Sequence, residues 1–538
     1  MSQWDSTVVS RALGFLGSAM LVAGAASCSL IVDTSVSDSL ANGCTKTAEC
    51  TSRLGDHHIC KRAPGAPSGT CANLFSANCT RVSGDYKNDD AFIFGSVLPS
   101  TGPDTSTGKA CENAIILAIE DLRQTANGLP ALAGEGKRPL VLVACSDQSD
   151  KEVGMAGATP LVEEVGVSAI IGAQWSGVTT AIATTVTAKR DVLLLSPSAT
   201  AVAITGLEDN GLLWRTSPSD VFQATALVKY FSMVEKGVMA GRPGAKVKAA
   251  MVFQGGDYGL GISEKITDKQ TTGGLQLNGL PANDPSNSEH FKTFDYGDPS
   301  ESEPLTTDRA VINLIQFAPD IVLLLGTNEG VTQVLKPVEQ QWGISHPGVP
   351  GPRWILGDGG EIRELWDFIA GNDGLRRRTT GTVPGTNNPL FQSFKQKYNS
   401  KSFNDGTDPA ALGPAGSYDS VYLLAYSAVS LGTQPLTGPN LAKGFAALVP
   451  GPGVPKVDVG VNNINTAFGS LSQGGKIDFN GASGPLDFDL GPGEAPSDIQ
   501  IWCMPKDGSG KATSAQNSGL YLDALTRSLV GSIGSICN

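Results

Sequence analysis

The chain has 538 residues, of which 39 are Lys or Arg and 52 are Asp or Glu, so its formal net charge is −13. This length allows several large buried cores, and the acidic balance argues against nucleic acid or an anionic membrane surface as a general partner. Charged residues make up only 17% of the chain, and its 65 glycines and 32 prolines remain below the level of disordered chains. The composition therefore indicates a loop-rich globular protein.

An apolar segment of small residues occupies positions 12–27 (ALGFLGSAMLVAGAAS). It is too short to cross a bilayer comfortably and is typical of an export signal. Its end, Ala25-Ala26-Ser27-Cys28, resembles the lipobox of bacterial lipoproteins, in which the cysteine becomes the lipidated first residue. Residues 1–27 are therefore predicted to be a lipoprotein signal peptide and Cys28 the lipidation site, with an ordinary secreted protein as the alternative. The predicted location is the cell envelope, facing the periplasm, with a lipid anchor in the inner or outer membrane as the sole membrane attachment.

The ten cysteines of an exported chain are expected to form mostly disulfides, because the compartments beyond the inner membrane are oxidising. Without Cys28 nine remain, so one is unpaired. Residues 28–88 form a Cys-rich segment with little aliphatic content, in which cross-links are expected to replace a core. The connectivity stays open, although a bridge between Cys503 and Cys537 would pin the C-terminal tail to a strand. His57 and His58 lie near Cys60, but without a CxxC pair no metal site is predicted.

From about residue 90, short apolar runs alternate with helical segments, which is typical of parallel sheets covered by helices. The continuous apolar runs predict buried strands in two series, separated by the polar stretch 215–220. The first series is 91–98, 139–144, 168–172 and 192–195, and the second is 246–253, 275–280, 321–325 and 354–356. Helices are predicted at 109–122, 308–317, 329–341, 388–398 and 418–431.

The last part of the chain is predicted to return to both lobes. It carries short predicted strands at 476–479, 486–488 and 499–502. The Pro- and Gly-rich insert 279–304 has few apolar residues and is predicted to be a surface excursion. The overall pattern therefore predicts two α/β lobes.

Motifs for catalysis or nucleotide binding are not supported by the sequence. Residues 101–109 (TGPDTSTGK) are similar to a phosphate loop, but Pro103 replaces its first glycine and Ala110 the residue that holds magnesium. The sequence has four histidines and no GxSxG, HExxH or kinase signature. Neither a cofactor nor an enzymatic activity is therefore predicted. A hydrolase would need a base beside Ser176, and no histidine partner is evident.

Two predicted strands end in segments rich in hydroxyl groups. Residues 170–172 lead into a predicted helix at Ser176, and residues 193–195 lead into Ser198 and Thr200. Ligands of open α/β sheets bind beyond the carboxyl ends of the strands, and the N-terminal end of a helix attracts a carboxylate. These segments are candidates for a ligand site. The alternative is that Ser176 and Thr200 simply cap their helices.

Five segments resemble, in order, the leucine/isoleucine/valine-binding protein family, the periplasmic binding proteins of ABC importers. They are GSVLPSTGP (95–103), IIGAQWSGVTT (170–180), LLLSPSAT (193–200), FQGGDYG (253–259) and GASGPLDFD (481–489). The resemblance implies an α/β fold of two Rossmann-like lobes with parallel sheets, joined by a hinge of three crossings, the type I periplasmic binding protein. The predicted domains are lobe 1 at 89–217 plus 384–465, lobe 2 at 218–383 plus 466–505, and a C-terminal tail at 506–538.

The resemblance also implies ligand-binding roles for five residues. The Ser176 hydroxyl and the N–H and hydroxyl of Thr200 would bind a ligand carboxylate, and the Ser198 carbonyl would accept from the ammonium. Tyr258 would close over the ligand from the second lobe. Asp358, with Glu361 as the less favoured substitute, would bind the ammonium. Such a set suits a zwitterion, which needs donors at one end and a negative acceptor at the other.

The sequence also departs from the family pattern around the ligand side chain. Thr107 and the pair Thr327-Asn328 stand where the family has aromatic rings, and Trp175 precedes the serine. The pocket is therefore expected to be more polar or differently shaped, and the ligand is not taken to be leucine, isoleucine or valine.

The predicted function is that of an extracytoplasmic solute-binding protein, which captures a small amino acid or related polar solute for ABC-type import. The predicted partners are the solute and an ABC permease, with no nucleic acid, and the chain is expected to be a monomer. The alternative is a ligand-sensing or surface lipoprotein with the same binding fold and no transport, which the Cys-rich segment favours.

Overall fold

The structure, a computed structural model, describes residues 43–63, 66–131, 136–385, 388–401, 403 and 405–538. The predicted signal peptide and Cys28 lie outside the described residues. Residues 44–538 form one unit that contains a small Cys-rich sheet and two large sheets. Within the described ranges, no helix has both the length and the apolar character needed to cross a membrane.

The N-terminal part of this unit, residues 44–74, is a small module held by disulfides. One helix, Thr47–Leu54, packs on a three-stranded sheet of Gly43–Cys44, His58–Lys61 and Gly69–Asn73. The bridges Cys44–Cys60 and Cys50–Cys71 cross this sheet and helix. The prediction that disulfides cross-link this segment is confirmed. Because Cys60 forms a disulfide, it has no free thiolate to bind a metal.

The first lobe is built on a six-stranded sheet whose inner strands are almost entirely buried and apolar, as strands covered on both faces require. All neighbouring pairs are parallel except the last, where Cys79–Ser83 runs antiparallel to Leu140–Ser146. The order is Leu213–Arg215, Leu193–Ser196, Ala169–Gly172, Phe92–Leu98, Leu140–Ser146 and Cys79–Ser83. A Cys79–Cys145 disulfide fastens this edge strand. The predicted Cys-rich segment 28–88 therefore overlaps the first lobe.

Helices cover both faces of the first sheet, because successive side chains of its strands point alternately into two apolar cores. The helices are Thr105–Ala126, Lys151–Pro160, Ser176–Ile182, Pro389–Ser400, Pro414–Ser430, Gly438–Gly444 and Ile464–Ser472. Thr105–Ala126 and Pro414–Ser430 pack against each other at the centre of one face. A short parallel pair, Lys456–Asp458 with Asp478–Asn480, completes the lobe.

The late part of the first lobe extends further than the sequence analysis assigned. Phe468, Leu471, Phe479 and Phe488 are buried in the same core as the strand Phe92–Leu98. The predicted boundary at 466 therefore differs from the structure, because these aromatic and aliphatic side chains are buried in lobe 1. Residues 476–479 contribute a strand close to the predicted one, whereas 486–488 form none.

The second lobe is built on an eight-stranded sheet. Its first five strands are parallel and its last three are added antiparallel. The order is Phe291–Asp295, Ala249–Phe253, Ile321–Leu325, Arg353–Leu356, Thr379–Pro384, Ile499–Cys503, Gln516–Asp523 and Ser528–Gly531. The helices are Asp220–Gly241, Gly256–Thr267, Thr307–Phe317, Lys336–Ser345, Arg363–Ile369 and Asp373–Arg376. Among the described residues, the chain changes sheet after Arg215, after Pro384 and before Ile499.

Three segments of the second lobe differ from the sequence prediction. Residues 275–280 form part of a two-stranded hairpin outside the large sheet. The insert 279–304 supplies the edge strand Phe291–Asp295, and its Tyr296 is fully buried. The tail 506–538 adds two strands to the sheet, and the expected Cys503–Cys537 bridge is formed.

The pairing of the cysteines predicts the thiol chemistry of the protein. Among the described residues, Cys111 is the one free cysteine, and it lies fully buried against the first sheet. Burial raises the pKa of its thiol to about 12, so it is both inaccessible and protonated near neutral pH. We expect a thiol reagent to leave Cys111 unmodified in the native protein and to modify it in denaturant, with peptide mapping as the readout. Modification of Cys111 at a comparable rate in native buffer would contradict this burial.

Candidate functional site

The five predicted ligand-binding residues meet at one place between the lobes. Ser176, Ser198 and Thr200 follow strands of the first sheet, and Tyr258 and Asp358 follow strands of the second. All five line the same small space, and each is at most 5% exposed. The carboxyl ends of strands from both sheets therefore converge there, as ligand sites of open α/β sheets do.

On the first lobe, hydroxyl groups fasten two neighbouring loops to each other. Ser176 Oγ accepts a hydrogen bond of 3.2 Å from the backbone N–H of Ala201. Ser198 Oγ donates to the carbonyl of Gln174 at 2.8 Å. The boundary residues of the helices Ser176–Ile182 and Val202–Gly206 are Trp175 and Ala201, and neither side chain caps its helix. The alternative in which Ser176 and Thr200 act only as helix caps is therefore wrong.

The Thr200 segment also contacts the start of the first helix of lobe 2. The backbone N–H of Asp220 donates to the Thr200 carbonyl at 2.8 Å. The first N–H groups of the helix that begins at Ser176 have no partner inside that helix. The first lobe thus offers hydroxyls and N–H groups to a ligand.

On the second lobe, a tyrosine and a buried carboxylate form one unit. Tyr258 donates from its hydroxyl to Asp358 Oδ1 at 2.6 Å, and the N–H of Gly359 donates to the Tyr258 oxygen at 3.1 Å. A Cβ on Gly357 would lie 2.5 Å from that oxygen, so only glycine lets the ring approach this loop. Asp358 Oδ2 has no partner among the described residues. It is therefore available to a donor from a ligand.

A second carboxylate lies behind Asp358. Gln223 links the two, because its Nε2 donates to Asp220 Oδ1 at 2.8 Å and its Oε1 accepts from the N–H of Asp358 at 2.8 Å. Burial raises the pKa of Asp358, and burial together with the nearby Asp358 charge raises that of Asp220 well above its usual value. A cation at this place would favour ionisation of both groups.

The space among the five residues is small, and a larger cavity adjoins it. The inner space has a volume of about 10 Å³, which matches a single water molecule. The adjoining cavity has about 160 Å³. Trp175, Gln254, Tyr258 and Thr327 form walls of both spaces. The two spaces are therefore parts of one cleft.

Contacts across the cleft hold the lobes together outside the inner space. Lys151 of the first lobe forms ion pairs of 2.8 Å with both Asp298 and Glu301 of the second, and its N–H donates to the Ser300 carbonyl at 3.1 Å. These partners belong to the insert predicted to be a surface excursion. The insert instead forms part of the cleft wall.

Several cleft residues were absent from the sequence prediction. Asp104 lines the larger cavity, and Gln174 and Gln254 line the inner space. Asp104 follows the strand Phe92–Leu98, so the same strand-end rule could have found it. Glu361, the less favoured substitute for Asp358, lines a different cavity with Gln392 and Lys395.

Two buried carboxyls beside the cleft make the stability of the unliganded protein depend on pH. Burial raises the pKa of Asp104 and of Asp147 from 3.8 to about 7. One oxygen of each lacks a partner among the described residues. The folded protein therefore retains protons that the unfolded chain releases above about pH 4. This stabilisation is complete below pH 4 and is lost as the pH rises through 7, by at most roughly 4 kcal/mol for one group.

We accordingly expect the melting temperature of the unliganded protein to fall between pH 5 and pH 8. Thermal unfolding followed by circular dichroism measures this. Asp104→Asn and Asp147→Asn should each flatten the dependence. A melting temperature that rises over the same range in the wild type would contradict the assignment.

Comparison with known proteins agrees with this architecture. A family model described as periplasmic binding protein matches residues 93–457. No curated protein matches the chain. The match excludes the Cys-rich module and the C-terminal strands, and it contains all five predicted ligand-binding residues.

Solved structures share the fold at low sequence identity. The branched-chain amino acid binding protein LivJ of Streptococcus pneumoniae, in complex with isoleucine, is 18% identical with a TM-score of 0.54, covering 79% of this chain and 99% of its own. The leucine-binding protein LivK of Thermotoga maritima is 20% identical with a TM-score of 0.55 and the same coverage. A solute-binding protein of Rhodopseudomonas palustris, in complex with 3,4-dihydroxybenzoic acid, is 14% identical with a TM-score of 0.56, covering 81% and 98%.

These similarities establish the type I fold with its two α/β lobes, and the resemblance seen in the five sequence segments is confirmed. Two of these three structures contain a bound ligand, an amino acid in one and an aromatic acid in the other. With its two sheets and interlobe cleft, this chain belongs to the periplasmic binding protein family.

Proposed function

We propose that the protein captures a small amino acid or a related polar solute in the interlobe cleft and delivers it to an ABC permease. One observation carries the proposal: hydroxyl and N–H donors of the first lobe face a buried, partly unpartnered carboxylate of the second across a single small space. A zwitterion matches this polarity, with its carboxylate at Ser176 and Thr200 and its ammonium at Asp358.

The Ser198 carbonyl and Tyr258 complete the proposed site. Ser198 follows the strand end and contributes a backbone acceptor, while Tyr258 closes the cleft from the second lobe. The ring is fixed by its hydrogen bond to Asp358, so the second lobe brings both groups to the ligand as one body. Lobe closure around the solute would remove both ends of the zwitterion from water, which strengthens charged hydrogen bonds.

A thermal-shift screen of the purified full-length protein against the proteinogenic amino acids, small amides and aromatic acids tests the proposal. A solute present at a hundredfold excess over its Kd should stabilise the protein by about 2.7 kcal/mol. The double variant Ser176→Ala/Thr200→Val should lose the shift. If only aromatic acids shift the protein, or if the double variant responds as the wild type does, the amino-acid site is refuted.

The N-terminal anchor is a separate part of the proposal. We place a lipid on Cys28, because it follows the apolar segment 12–27 with lipobox-like residues. Metabolic labelling with a radioactive fatty acid should mark the wild type and leave Cys28→Ser unlabelled. Equal labelling of both proteins would rule out this anchor.

A sensor or surface role is the second candidate, and the Cys-rich module favours it. The module lies outside the matched family region, and its two disulfides give it a defined structure. Stimulation of the ATPase of a co-encoded permease by the loaded protein would support transport. The absence of such stimulation, with binding intact, would favour the sensor.

A further inference from the structure

The larger cavity of the cleft is strongly acidic. Four carboxylates line it, from Asp104, Asp257, Asp298 and Glu329, and among the described residues no Lys, Arg or His does so. Lys151 lies beside Asp298 and pairs with both Asp298 and Glu301. The positive charge of Lys151 is therefore already balanced by these two carboxylates. The cavity therefore carries more negative charge than the binding of an uncharged ligand side chain would require.

Asp104 differs from the other acidic residues of the cavity because it is buried and one of its carboxylate oxygens has no hydrogen-bond partner among the described residues. It is 4% exposed. Its Oδ2 accepts from Ser149 Oγ at 2.5 Å and from Trp175 Nε1 at 3.0 Å, whereas its Oδ1 has no partner among the described residues. Both donors are themselves cavity walls. They hold the carboxylate in a fixed orientation at the cavity.

In Glu329, by contrast, both carboxylate oxygens have hydrogen-bond partners. Its Oε1 accepts from the Tyr296 hydroxyl at 2.7 Å and from the N–H of Thr327 at 3.0 Å, and its Oε2 accepts from Thr327 Oγ1 at 2.5 Å. This carboxylate is complete without a ligand, yet it adds negative charge to the cavity. Burial of Asp104, reinforced by the nearby Glu329, raises the Asp104 pKa to about 7. A buried carboxylate in such surroundings favours a cation as its missing partner.

We propose that the solute is an α-amino acid with a cationic side chain, and that Asp104 binds the ammonium or guanidinium group of that side chain. This proposal rests on the proposed function, in which the residues around the inner space bind the α-carboxylate and α-ammonium after the lobes separate to admit the solute. Trp175 and Tyr258 border both spaces, so a side chain that leaves the inner space enters the cavity beside Asp104. The specificity of the cleft then depends on one carboxylate.

Arginine and citrulline form a matched pair for the first test, because they have similar shapes and only arginine is charged. Isothermal titration of the wild-type protein should give a Kd for arginine or lysine at least tenfold below that for citrulline, glutamine or leucine. A tenfold preference corresponds to about 1.4 kcal/mol. Citrulline, glutamine or leucine binding as tightly as arginine would overturn the proposal, and so would tighter binding of glutamate.

The variant Asp104→Asn tests the residue itself. Its amide oxygen can still accept from Ser149 and Trp175, so the local structure is kept while the charge is lost. We expect at least a tenfold loss of arginine affinity with citrulline affinity unchanged. The control is Glu361→Gln, which replaces a buried carboxyl that lines another cavity, and it should leave the arginine Kd within about twofold of the wild type. Equal losses for arginine and citrulline in Asp104→Asn would overturn the assignment.

The two proposals fail in different ways. If the wild type binds leucine or glutamine best and Ser176→Ala/Thr200→Val abolishes that binding, amino-acid capture stands and the cationic specificity is wrong. If no amino acid binds, both proposals are wrong. The arginine-to-citrulline ratio is measured on the wild type, so the test remains decisive even if Asp104→Asn does not fold.

Discussion

Asp358→Asn is expected to weaken amino-acid binding by a hundredfold or more without destabilising the unliganded protein. The carboxylate is fully buried, and removing one partner of a buried charged hydrogen bond costs about 2 to 5 kcal/mol. In the unliganded protein, asparagine can still accept from Tyr258 and Gly359 through its Oδ1. Its amide nitrogen replaces Oδ2, which has no partner among the described residues, so no existing hydrogen bond is lost.

The matched control for this change is Glu361→Gln. Glu361 lies three positions later, is also buried, and also has an oxygen without a partner among the described residues. It lines another cavity, so its neutralisation should leave the Kd within about twofold of the wild type. Isothermal titration gives the Kd, and thermal unfolding gives the stability. The site assignment fails if Glu361→Gln abolishes binding and Asp358→Asn does not.

Asp419→Ala is expected to destabilise the first lobe by about 3 to 5 kcal/mol. Asp419 lies on the buried helix Pro414–Ser430 and is fully inaccessible. It accepts from the N–H of Ala482 at 2.9 Å, and from the N–H and Oγ of Ser483 at 2.7 and 2.6 Å. Alanine would leave these donors without an acceptor in the core. The late segment 481–489 would then lose its attachment to the lobe.

Urea unfolding followed by tryptophan fluorescence measures this loss. Asp419→Asn keeps one acceptor oxygen and should lose less stability than alanine. Asp367→Ala removes an exposed carboxylate whose partner is Arg363 on the same helix, and it should leave the transition unchanged. A midpoint for Asp419→Ala equal to that of the wild type would show that the segment is held by its apolar side chains alone.

The buried strands could be predicted from the sequence because each is a continuous apolar run. Residues 321–325 were predicted as a strand and form Ile321–Leu325, and 91–98 became Phe92–Leu98. The strand Phe291–Asp295 was missed because it is an edge strand with exposed Lys292 and Thr293. An edge strand needs apolar residues on fewer positions, so its pattern resembles that of a loop.

The boundary near 466 was missed for a different reason. Helix Ile464–Ser472 is amphipathic. Its sequence pattern predicts that one face is buried, but it does not indicate which lobe buries that face. Only the three-dimensional packing of Phe468 and Leu471 against the first core decides this. The long-range bonds from Asp419 to residues 482 and 483 are equally invisible in sequence.

The site could be predicted in part, because the ends of the predicted strands and the segments that resemble the family indicate which positions bind a ligand. These two features predict five ligand-binding residues, and the structure brings all of them to one space: Ser176, Ser198, Thr200, Tyr258 and Asp358. Asp104 also follows a strand end, but its significance, like that of Asp220, depends on a partner far along the chain, which is Trp175 for Asp104 and Asp358 for Asp220. Such carboxylates differ from solvated ones in being buried and in having an oxygen without a hydrogen-bond partner among the described residues. Neither property can be read from the sequence.

Isothermal titration of the solute found in the screen, with the wild type and Ser176→Ala/Thr200→Val compared side by side, tests whether the solute binds in the interlobe cleft. We expect one solute per chain for the wild type and at least a hundredfold weaker binding for the double variant, with both proteins equally folded by circular dichroism. Unchanged affinity in the folded double variant would show instead that the solute binds outside the interlobe cleft.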